Sequence, residues 1–489
     1  MYADITKGLG GHAVRKVVVL SPAADSGSPR TPAVYARRLK SYWHLGLALA
    51  AAASVSLPAQ ASPCEVFAFN SCYIGVDGTN TQTLSTVDST LYNFVGLGVS
   101  GGDVGITPPA PPTGPVSGTL NVNVGGSMTL AYLPLTIGAP TFRPLDNSVL
   151  VGVSAGASGT LNVNGGSINA PMLVAGQTDN ARPSTGTVSI SNGGTFTATF
   201  DSGPTGVLPG NPAVGIGRGL GSTGIVNVDG TGSQLIAANG MFSIGRLGSG
   251  ALNVTNGGQV VAGGTVFGST VGPTGSSSIL VDGTGSKLNA GSNDILLGIN
   301  NDLNPANTNH GTATLNVRNG GEVTGNVTLG QGGTLRGNGT VTGNVLNQGG
   351  TIQPGNSPGT LHVLGNYTQN KGIIEIEVAG ASAFDVLDVS MDVALDDVLI
   401  RFIFTGGYSP LAGDTYEFLK SGTGSISNLN PLYEVFGLQP GFDYTVGGGQ
   451  NGLTLVAINN GVAVPEPGSL ALLAIAFLGL VSVRGRTRT

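Results

Sequence analysis

The sequence has little charge, little sulfur and almost no tryptophan. Of its 489 residues only 9% are charged, two are cysteine and one is tryptophan. An average globular domain has about 25% charged residues, and long helices need residues such as Lys and Glu at exposed positions. These scarcities exclude a coiled coil and a charge-rich disordered chain, and they disfavour an ordinary α/β enzyme.

Glycine is what the chain has in excess. It contributes 83 residues, and 40% of all residues are hydrophobic, whereas glycine usually makes up only ~7% of a protein. A glycine-rich chain with enough apolar residues for a core, and with Ser, Thr and Asn between them, is predicted to be all-β. Between Ser62 and Val483 it carries 10 basic and 24 acidic residues, a balance that disfavours nucleic acid as a partner.

The N-terminal region has the three parts of a secretory signal peptide. Residues 37–44 are partly basic, residues 45–57 are apolar, and Ala59 and Ala61 form an A-x-A cleavage site. The apolar run is shorter than the ~20 residues that span a bilayer. We predict export by the Sec machinery and cleavage after Ala61; a buried N-terminal helix is the alternative.

The C-terminal region has a second set of targeting features. Residues 464–467 read Val-Pro-Glu-Pro, residues 468–483 are uncharged, and arginines follow. At about 1.5 Å per residue the uncharged run makes a helix of roughly 24 Å, short of the ~30 Å hydrocarbon core. It predicts a short transmembrane helix that inserts transiently in the inner membrane with its basic end in the cytoplasm.

This order of parts closely resembles the PEP-CTERM sorting signal of Gram-negative bacteria. The residues that carry the resemblance are Pro465, Glu466, Pro467, Arg484, Arg486 and Arg488. The resemblance implies that exosortase recognises and processes the tail, and that the protein then reaches the cell surface or the extracellular space. Gly485 and Thr487 interrupt the arginines, which departs from the family pattern.

The two cysteines lie just past the predicted cleavage site. Cys64 and Cys72 are close in a chain that is predicted to be exported, and exported proteins form disulfides. We predict one local disulfide between them. A metal or redox pair is the alternative, but the C-x-x-C spacing and neighbouring His ligands are missing.

The body of the chain repeats a phrase in which an alternating strand precedes a glycine turn. Five copies occupy Gly118–Met128, Gly159–Ile168, Gly186–Phe196, Gly250–Val260 and Thr312–Val323. A second phrase, Val-Asp-Gly-Thr-Gly-Ser, occupies Val228–Ser233 and Val281–Ser286. The alternation places apolar residues on one strand face, and the Asn-Gly-Gly turn supplies positive φ angles.

Short repeated strands without a helical pattern predict a β-solenoid, in which rungs stack at about 4.8 Å. A β-sandwich or barrel is the alternative. The stretch is similar to the passenger repeats of autotransporters, most closely from Val228 to Gly365, including Gly333–Val341 and Gly350–Leu361. This resemblance implies a right-handed parallel β-helix on a cell surface, often with an adhesive role.

These features divide the chain into five parts. Residues 1–61 are a leader and signal peptide, 62–116 an N-terminal cap with a Pro-rich linker, 117–372 β-helix repeats, 373–460 a C-terminal β cap, and 461–489 the sorting signal with its transmembrane helix. The cap is predicted because the sequence becomes more apolar and less glycine-rich from about Ile373. A solenoid needs such a cap to protect its last rung.

Catalytic motifs occur without the context that they need. G-x-S-x-G matches begin at Gly98, Gly152 and Gly355, but no helix and no His base is predicted beside any of them. We therefore name no catalytic residue, no cofactor site and no metal site.

Acidic residues cluster in the C-terminal β cap. They are Glu375, Glu377, Asp385, Asp388, Asp392, Asp396 and Asp397. Glu375 and Glu377 share one strand face, where they could hold Ca²⁺, but we interpret the cluster as a solvated face and turn residues. Asp229 and Asp282, in the repeated Asp-Gly turns, are interpreted as turn formers.

Taken as a whole, the sequence favours an exported, non-enzymatic protein with a structural or adhesive role in an exopolysaccharide or biofilm. Its predicted partners are exosortase, the Sec machinery and exopolysaccharide or other cells. A polysaccharide-cleaving β-helix enzyme is the alternative, which would place acidic and basic residues on one face. An ice-binding protein is a third hypothesis, since Thr195, Thr197 and Thr199 form a row, although without evident stacked copies.

Overall fold

Alternating apolar and polar residues form strands throughout the described chain. The computed structural model describes residues 64, 66–68, 71–76, 78–92, 94–99, 116–130, 148–153, 156–177, 183–200, 212–269, 274–299, 311–422, 425–427, 431–449 and 451–464. In these residues the regular elements are all β-strands. In Val116–Asn123 every second residue is buried, the period that a strand with one buried face requires.

The strands of the first rungs have three to eight residues. They are β1 (Val66–Ala68), β2 (Ser71–Val76), β3 (Thr79–Leu84), β4 (Val87–Tyr92), β5 (Phe94–Val99), β6 (Val116–Asn123), β7 (Ser127–Leu130), β8 (Ser148–Val151), β9 (Ala157–Asn164), β10 (Ser167–Ala170), β11 (Met172–Ala175), β12 (Thr185–Ser191), β13 (Thr195–Ala198), β14 (Val214–Ile216), β15 (Thr223–Asp229), β16 (Gln234–Ala237), β17 (Phe242–Ile244), β18 (Ser249–Thr255), β19 (Gln259–Ala262), β20 (Val266–Gly268) and β21 (Ser276–Asp282).

Several strands of the later rungs are longer. They are β22 (Lys287–Leu297), β23 (Thr312–Arg318), β24 (Glu322–Leu329), β25 (Gly333–Gly337), β26 (Thr340–Thr342), β27 (Val345–Pro354), β28 (Thr360–Val363), β29 (Tyr367–Gly380), β30 (Ala383–Phe384), β31 (Val386–Val389), β32 (Val393–Leu395), β33 (Val398–Phe404), β34 (Thr415–Ser421), β35 (Ile426–Ser427), β36 (Leu432–Phe436), β37 (Tyr444–Gly449) and β38 (Gly452–Ala457).

Parallel pairing arranges these strands in three sheets. Sheet A contains β3, β6, β9, β12, β15, β18, β21, β23, β25, the second halves of β27 and β29, β33 and β36. Sheet B contains β4, β7, β10, β13, β16, β19, the first parts of β22 and β24, β26, β28, β31 and β34. Sheet C contains β2, β5, β8, β11, β14, β17, β20, the last parts of β22 and β24, the first parts of β27 and β29, β32 and β35.

Each rung therefore contributes one segment to each sheet and stacks in parallel on the rung before it. This confirms the predicted parallel β-solenoid, and the parallel pairing excludes an antiparallel sandwich for the described rungs. The repeated phrases stack in register, since Gly118 pairs with Gly159 and Gly159 with Gly186. Apolar residues between them, such as Leu120 and Leu161, are fully buried and form a continuous core inside the rungs.

Most early rungs turn from sheet C to sheet A at a glycine, whereas Ser269, with a φ of 49°, occupies the equivalent corner after β20. The corner glycines have φ angles between +59° and +71° and are Gly75, Gly98, Gly152, Gly176, Gly217, Gly245 and Gly298. At Gly217 an added Cβ would lie 2.1 Å from the carbonyl oxygen of Ser249 in the next rung. Both the backbone angle and the close approach of the next rung exclude a side chain there.

The predicted Asn-Gly-Gly turns connect sheet A to sheet B. Asn192, Asn256 and Asn319 have φ angles of 52°, 53° and 53°, and the glycine after each also has a positive φ angle. The left-handed conformation predicted for these turns is thus confirmed. Asparagine tolerates it better than other residues with side chains.

The solenoid continues past the predicted boundary between repeats and cap. β29 runs through residues 372–373, and β33 and β36 extend sheet A further. Antiparallel β38 pairs with β34 and with β37, which covers an edge at this end. Aromatic rings pack beneath these strands, with the rings of Phe402 and Phe418 at 5.0 Å.

At the other end β1 pairs antiparallel with β2, beside a disulfide that joins Cys64 to Cys72. The two Cα atoms are 4.9 Å apart, and Cys72 is fully buried.

The described residues all belong to one unit of residues 62–489, and they include no helix long and apolar enough to cross a bilayer. The predicted signal peptide of residues 1–61 and the predicted transmembrane helix of residues 468–483 lie outside the described residues.

Candidate functional site

Sheets A and B both keep a partly exposed outer face in the early rungs, and from β6 onward sheet A offers the longer one, with strands of seven or eight residues against four in sheet B. In sheet C, β8, β11, β14, β17 and β20 are buried on both faces, so they offer no binding surface. In sheet A the outward residues of β6, β9, β12, β15 and β18 keep partial exposure. On the outer face of sheet A, the stacking of rungs brings side chains from successive strands together.

One register position of sheet A forms a column along the solenoid, called here the outer column. Its members are Thr83, Asn121, Asn162, Ser189, Asn227, Asn253, Leu280, Asn316, Arg336, Gln353, Glu375, Arg401 and Glu434. The column is neutral as far as Asn316 and mostly charged from Arg336 onward. Neighbouring members lie about 4.8 Å apart, the separation of hydrogen-bonded strands.

Amide side chains stabilise the neutral part of the outer column. The Nδ2 atom of Asn162 donates to Oδ1 of Asn121 at 2.8 Å, and Asn253 donates to Asn227 at the same distance. An amide carries both a donor and an acceptor, so identical residues can bond from rung to rung. Columns of Ser and Thr run beside them on the same face, such as Thr119, which pairs with Thr160.

The two Asp-Gly turns join successive rungs and do more than form turns. Oδ1 of Asp229 accepts hydrogen bonds from the Thr255 hydroxyl at 2.6 Å and from Asn256 at 2.7 Å. Asp282 accepts from Nε and an Nη atom of Arg318, at 3.0 and 2.8 Å. Burial raises the pKa of Asp282, but the Arg318 and Asn319 hydrogen bonds outweigh it and hold this pKa below its usual value.

Ion pairs take over in the charged part of the outer column. Nη1 of Arg401 lies 3.4 Å from Oε1 of Glu375, and its Nε lies 3.0 Å from Oε2 of Glu434. Nε2 of Gln353 also donates to Oε2 of Glu375. From Glu375 through Arg401 to Glu434 the charges alternate in sign, so neighbouring side chains attract each other.

A cleft of about 430 Å³ opens at this charged part of the face. It is lined by Asn316, Arg318, Arg336, Gln353, Pro354, Gly355, Asn356, Ser357, Glu375, Glu377, Asp385 and Ile403. Arg336 is exposed, and among the described residues it has no ion-pair partner. Its guanidinium is therefore available to an anionic group from solution.

Asp385 anchors the loop at the wall of the cleft. Its Oδ1 accepts from the backbone N–H of Gly359 and its Oδ2 from that of Glu377, both at 2.9 Å. Asp385 is only 2% exposed, and burial raises its pKa to about 7 against the opposing effect of the two backbone hydrogen bonds. The carboxylate thus supports the loop at the lining of the cleft.

The structure separates the acidic residues that the sequence grouped together. Glu375 and Glu377 lie on the outer face of sheet A, and Asp388 lies in sheet B, 2.9 Å from Nδ1 of His362. Among the described residues no group of three or more His, Cys, Asp or Glu side chains is arranged to hold a metal ion. Sequence reasoning missed the anchoring role of Asp385, because its partners are backbone groups, that of Glu377 in the same rung and that of Gly359 in the preceding rung.

The G-x-S-x-G matches have other structural roles. Gly98 and Gly152 are corner glycines between sheets C and A, and no described helix follows them. In the third match Ser357 donates a hydrogen bond to Oε2 of Glu377 at the cleft. The row of Thr195 and Thr197 lies in sheet B beside Gln234 and Ile236, so no threonine follows it in the next rung.

The targeting residues lie outside the described part of the chain. These are Ala59, Ala61, Pro465, Glu466, Pro467, Arg484, Arg486 and Arg488. The last described residue, Val464, donates its N–H to the carbonyl oxygen of Gly437 at 2.9 Å. The described part of the cap therefore extends to the residue immediately before the Pro-Glu-Pro sequence.

Comparison with known proteins identifies this C-terminal segment. Residues 463–486 match the family described as the PEP-CTERM protein-sorting motif. No curated protein matches the chain. The motif is a substrate signal for exosortase and implies export to the cell surface. The chain therefore carries a PEP-CTERM protein-sorting motif after its β-solenoid.

Proposed function

We propose that the protein is a non-enzymatic adhesive or structural component of the cell surface or extracellular matrix, which binds exopolysaccharide along sheet A. In this proposal the solenoid is right-handed, a signal peptide directs export through the Sec machinery, and a short transmembrane helix holds the chain until exosortase acts. The biofilm role rests on the match of the sorting motif together with an extended binding face.

The observation that carries the binding proposal is the outer face of sheet A. Its amides and hydroxyls recur at about 4.8 Å, and polysaccharides are chains of hydroxyl groups that such donors and acceptors bind. The exposed, unpaired Arg336 among the neutral side chains of Asn316 and Gln353 favours a sugar that carries a carboxylate or sulfate, since guanidinium binds such groups in bidentate fashion.

A binding assay with paired variants tests this proposal. The full chain is measured against acidic exopolysaccharide and against the same polymer with its carboxylates reduced. Arg336→Ala is expected to weaken binding about tenfold, or ~1.4 kcal/mol. Lys371→Ala is the matched control, because Lys371 is also exposed and free of ion pairs but lies outside the cleft. Equal binding by both variants and the unaltered chain would remove the role of Arg336.

A polysaccharide-cleaving enzyme is the second candidate, and the cleft favours it. Arg336, Glu375 and Glu377 lie together on one lining, which is the mixed-charge face that such an enzyme would need. Against it, both oxygens of Asp385 are engaged by backbone N–H groups, and an acid–base residue must reach its substrate. Release of new reducing or unsaturated ends from an acidic polysaccharide panel would establish the enzyme instead.

A further inference from the structure

Exposed apolar side chains concentrate where the chain leaves the solenoid. They are Leu411, Leu432, Phe436, Ile458, Val462 and Val464. Val462 is 62% and Phe436 49% exposed, which is unusual for side chains of this size in a water-soluble surface when several lie in neighbouring segments. We call the five of them other than Leu432 the exit cluster.

Backbone hydrogen bonds tie the segments of the exit cluster together. The N–H of Gln439 donates to the Val462 carbonyl at 2.7 Å, next to the bond between Val464 and Gly437. On the other side, the N–H of Gly461 donates to Pro410 at 2.9 Å, which places Leu411 beside the same strand exit. The cluster is therefore held on a rigid frame and cannot withdraw into the core.

The chain itself fixes what lies near the exit cluster. Only residues 465–467 separate Val464 from the uncharged run of residues 468–483. At no more than about 3.6 Å per residue, Val464 stays within roughly 14 Å of the start of that run. The headgroup region is about 5 to 7 Å thick on each side of a bilayer, so insertion of the run would bring Val464 into this region or within about 10 Å of it.

Charge on this end of the molecule favours an apolar contact over an electrostatic one. The sequence has no Lys or Arg between Lys420 and Arg484, while Glu434 and Asp443 lie within that interval. Binding to anionic headgroups needs clustered basic residues. Contact with the bilayer would therefore depend on the apolar side chains and on the inserted tail, and it would resist salt.

We propose that the exit cluster is a membrane-docking surface: while the sorting tail is inserted, these side chains rest in the bilayer interface and orient the solenoid end at the membrane. The inference rests on the proposed insertion of residues 468–483. It gives a role to apolar side chains that the cap leaves exposed. After cleavage near Pro465 the cluster alone would hold the protein weakly, because few side chains are buried.

Site-specific fluorescence in vesicles tests the docking surface. The full chain with its tail intact is reconstituted in phosphatidylcholine vesicles, with an environment-sensitive label on Val462→Cys. Leu220→Cys is the matched control, because Leu220 is 53% exposed and lies in a distant rung. Lipids with brominated chains are expected to quench the label at 462 at least threefold more than that at 220, in ~1 M NaCl as well as in low salt.

Two outcomes would overturn the proposal. One is absence of quenching at 462 while the tail still resists alkaline extraction from the vesicles. The other is a blue-shifted label at 462 that brominated lipid does not quench, because that means a protein segment, either the tail or a second copy, covers the cluster. Failure of the sorting function itself would be recognised separately, as a full-length mass for the protein recovered from cells that contain exosortase.

Discussion

Early and late rungs of the same solenoid stabilise the same face in different ways. In the early rungs sheet A bears amides and hydroxyls, exemplified by the bond between Asn162 and Asn121. In the late rungs it bears ion pairs, exemplified by Arg401 between Glu375 and Glu434. An amide column needs only identical residues, whereas a charged column needs a partner of opposite sign in every neighbouring rung.

The corners between sheets C and A also differ between the early and the late rungs. Most early rungs break between sheets C and A at a single glycine with a φ angle near +65°, as at Gly217. In the late rungs β27 and β29 run from sheet C into sheet A as continuous strands. Positive-φ glycines thus occur at this corner in both parts, with Gly349 and Gly372 inside β27 and β29, and the late corner adds the side chain of Asn347, which accepts from the N–H groups of Gly349 and Gly350. That difference can be tested by substitutions in each part.

The largest effect is expected at an early corner. Gly217→Ala places a Cβ 2.1 Å from the Ser249 carbonyl oxygen and imposes the left-handed conformation on a residue with a side chain. We expect a loss of about 3–5 kcal/mol in the free energy of unfolding, measured by urea denaturation and circular dichroism. Gly221→Ala is the control, since Gly221 has a φ of +73° but open space around it, and about 1–2 kcal/mol is expected. Equal losses of stability in both variants would mean that the close approach of the next rung at Gly217 does not contribute.

The next effect belongs to the late rungs and depends on pH. Asp385 has a pKa of about 7 in the folded protein, raised from 3.8 by burial. A carboxyl group with a raised folded pKa stabilises the protein below its unfolded pKa and loses that contribution as pH rises to the folded value. We expect about 2–4 kcal/mol of stability to be lost between pH 4 and pH 7, measured as urea midpoints. Asp385→Asn should reduce the change in unfolding free energy between pH 4 and pH 7. If the variant shows the same change as the unaltered protein, other groups cause it.

The same residue gives a third prediction at a fixed pH. At pH 5, where the Asp385 carboxyl is largely protonated, Asp385→Asn replaces one acceptor oxygen by an amide that faces the N–H of Gly359 or Glu377. We expect a loss of about 1–3 kcal/mol, the cost of one unsatisfied buried donor. Hydrogen exchange of these two amides should accelerate. Asp388→Asn, in an exposed pair with His362, should leave both amides protected, and acceleration in both variants would refute the anchoring role.

How far the sequence predicts this molecule depends on the range of the interaction. Alternating apolar residues and Asn-Gly-Gly turns are local signals, and they predict the strands, the positive φ at Asn256 and the stacking of Gly118 on Gly159. The three-sheet rung is not predicted, because phrase spacing alone does not tell how many strands form one turn. The PEP-CTERM motif is also a local signal, and its prediction is confirmed by the family match over residues 463–486.

Contacts between rungs are what the sequence conceals. Asp229 and Asp282 have the appearance of turn formers, yet each accepts hydrogen bonds from the following rung. Arg336 lies between the neutral side chains of Asn316 and Gln353 only because β25 pairs with both β23 and β27. Predicting such pairs requires the strand register between rungs, which depends on the length of every intervening loop. The outer column therefore becomes visible only once the rungs are aligned.

The smallest effects separate the two stabilising devices directly. Asn253→Ala removes an amide bond of the early column, and Arg401→Met removes two ion pairs of the late column. Each is expected to cost about 1 kcal/mol or less, because hydrogen bonds and partly exposed ion pairs contribute little net stability. Salt distinguishes them: the cost of Arg401→Met should fall toward zero at ~1 M NaCl, where charges are screened beyond about 3 Å, while that of Asn253→Ala should not change. If both costs fall together, the amide column is itself electrostatic in origin, and the distinction between early and late rungs fails.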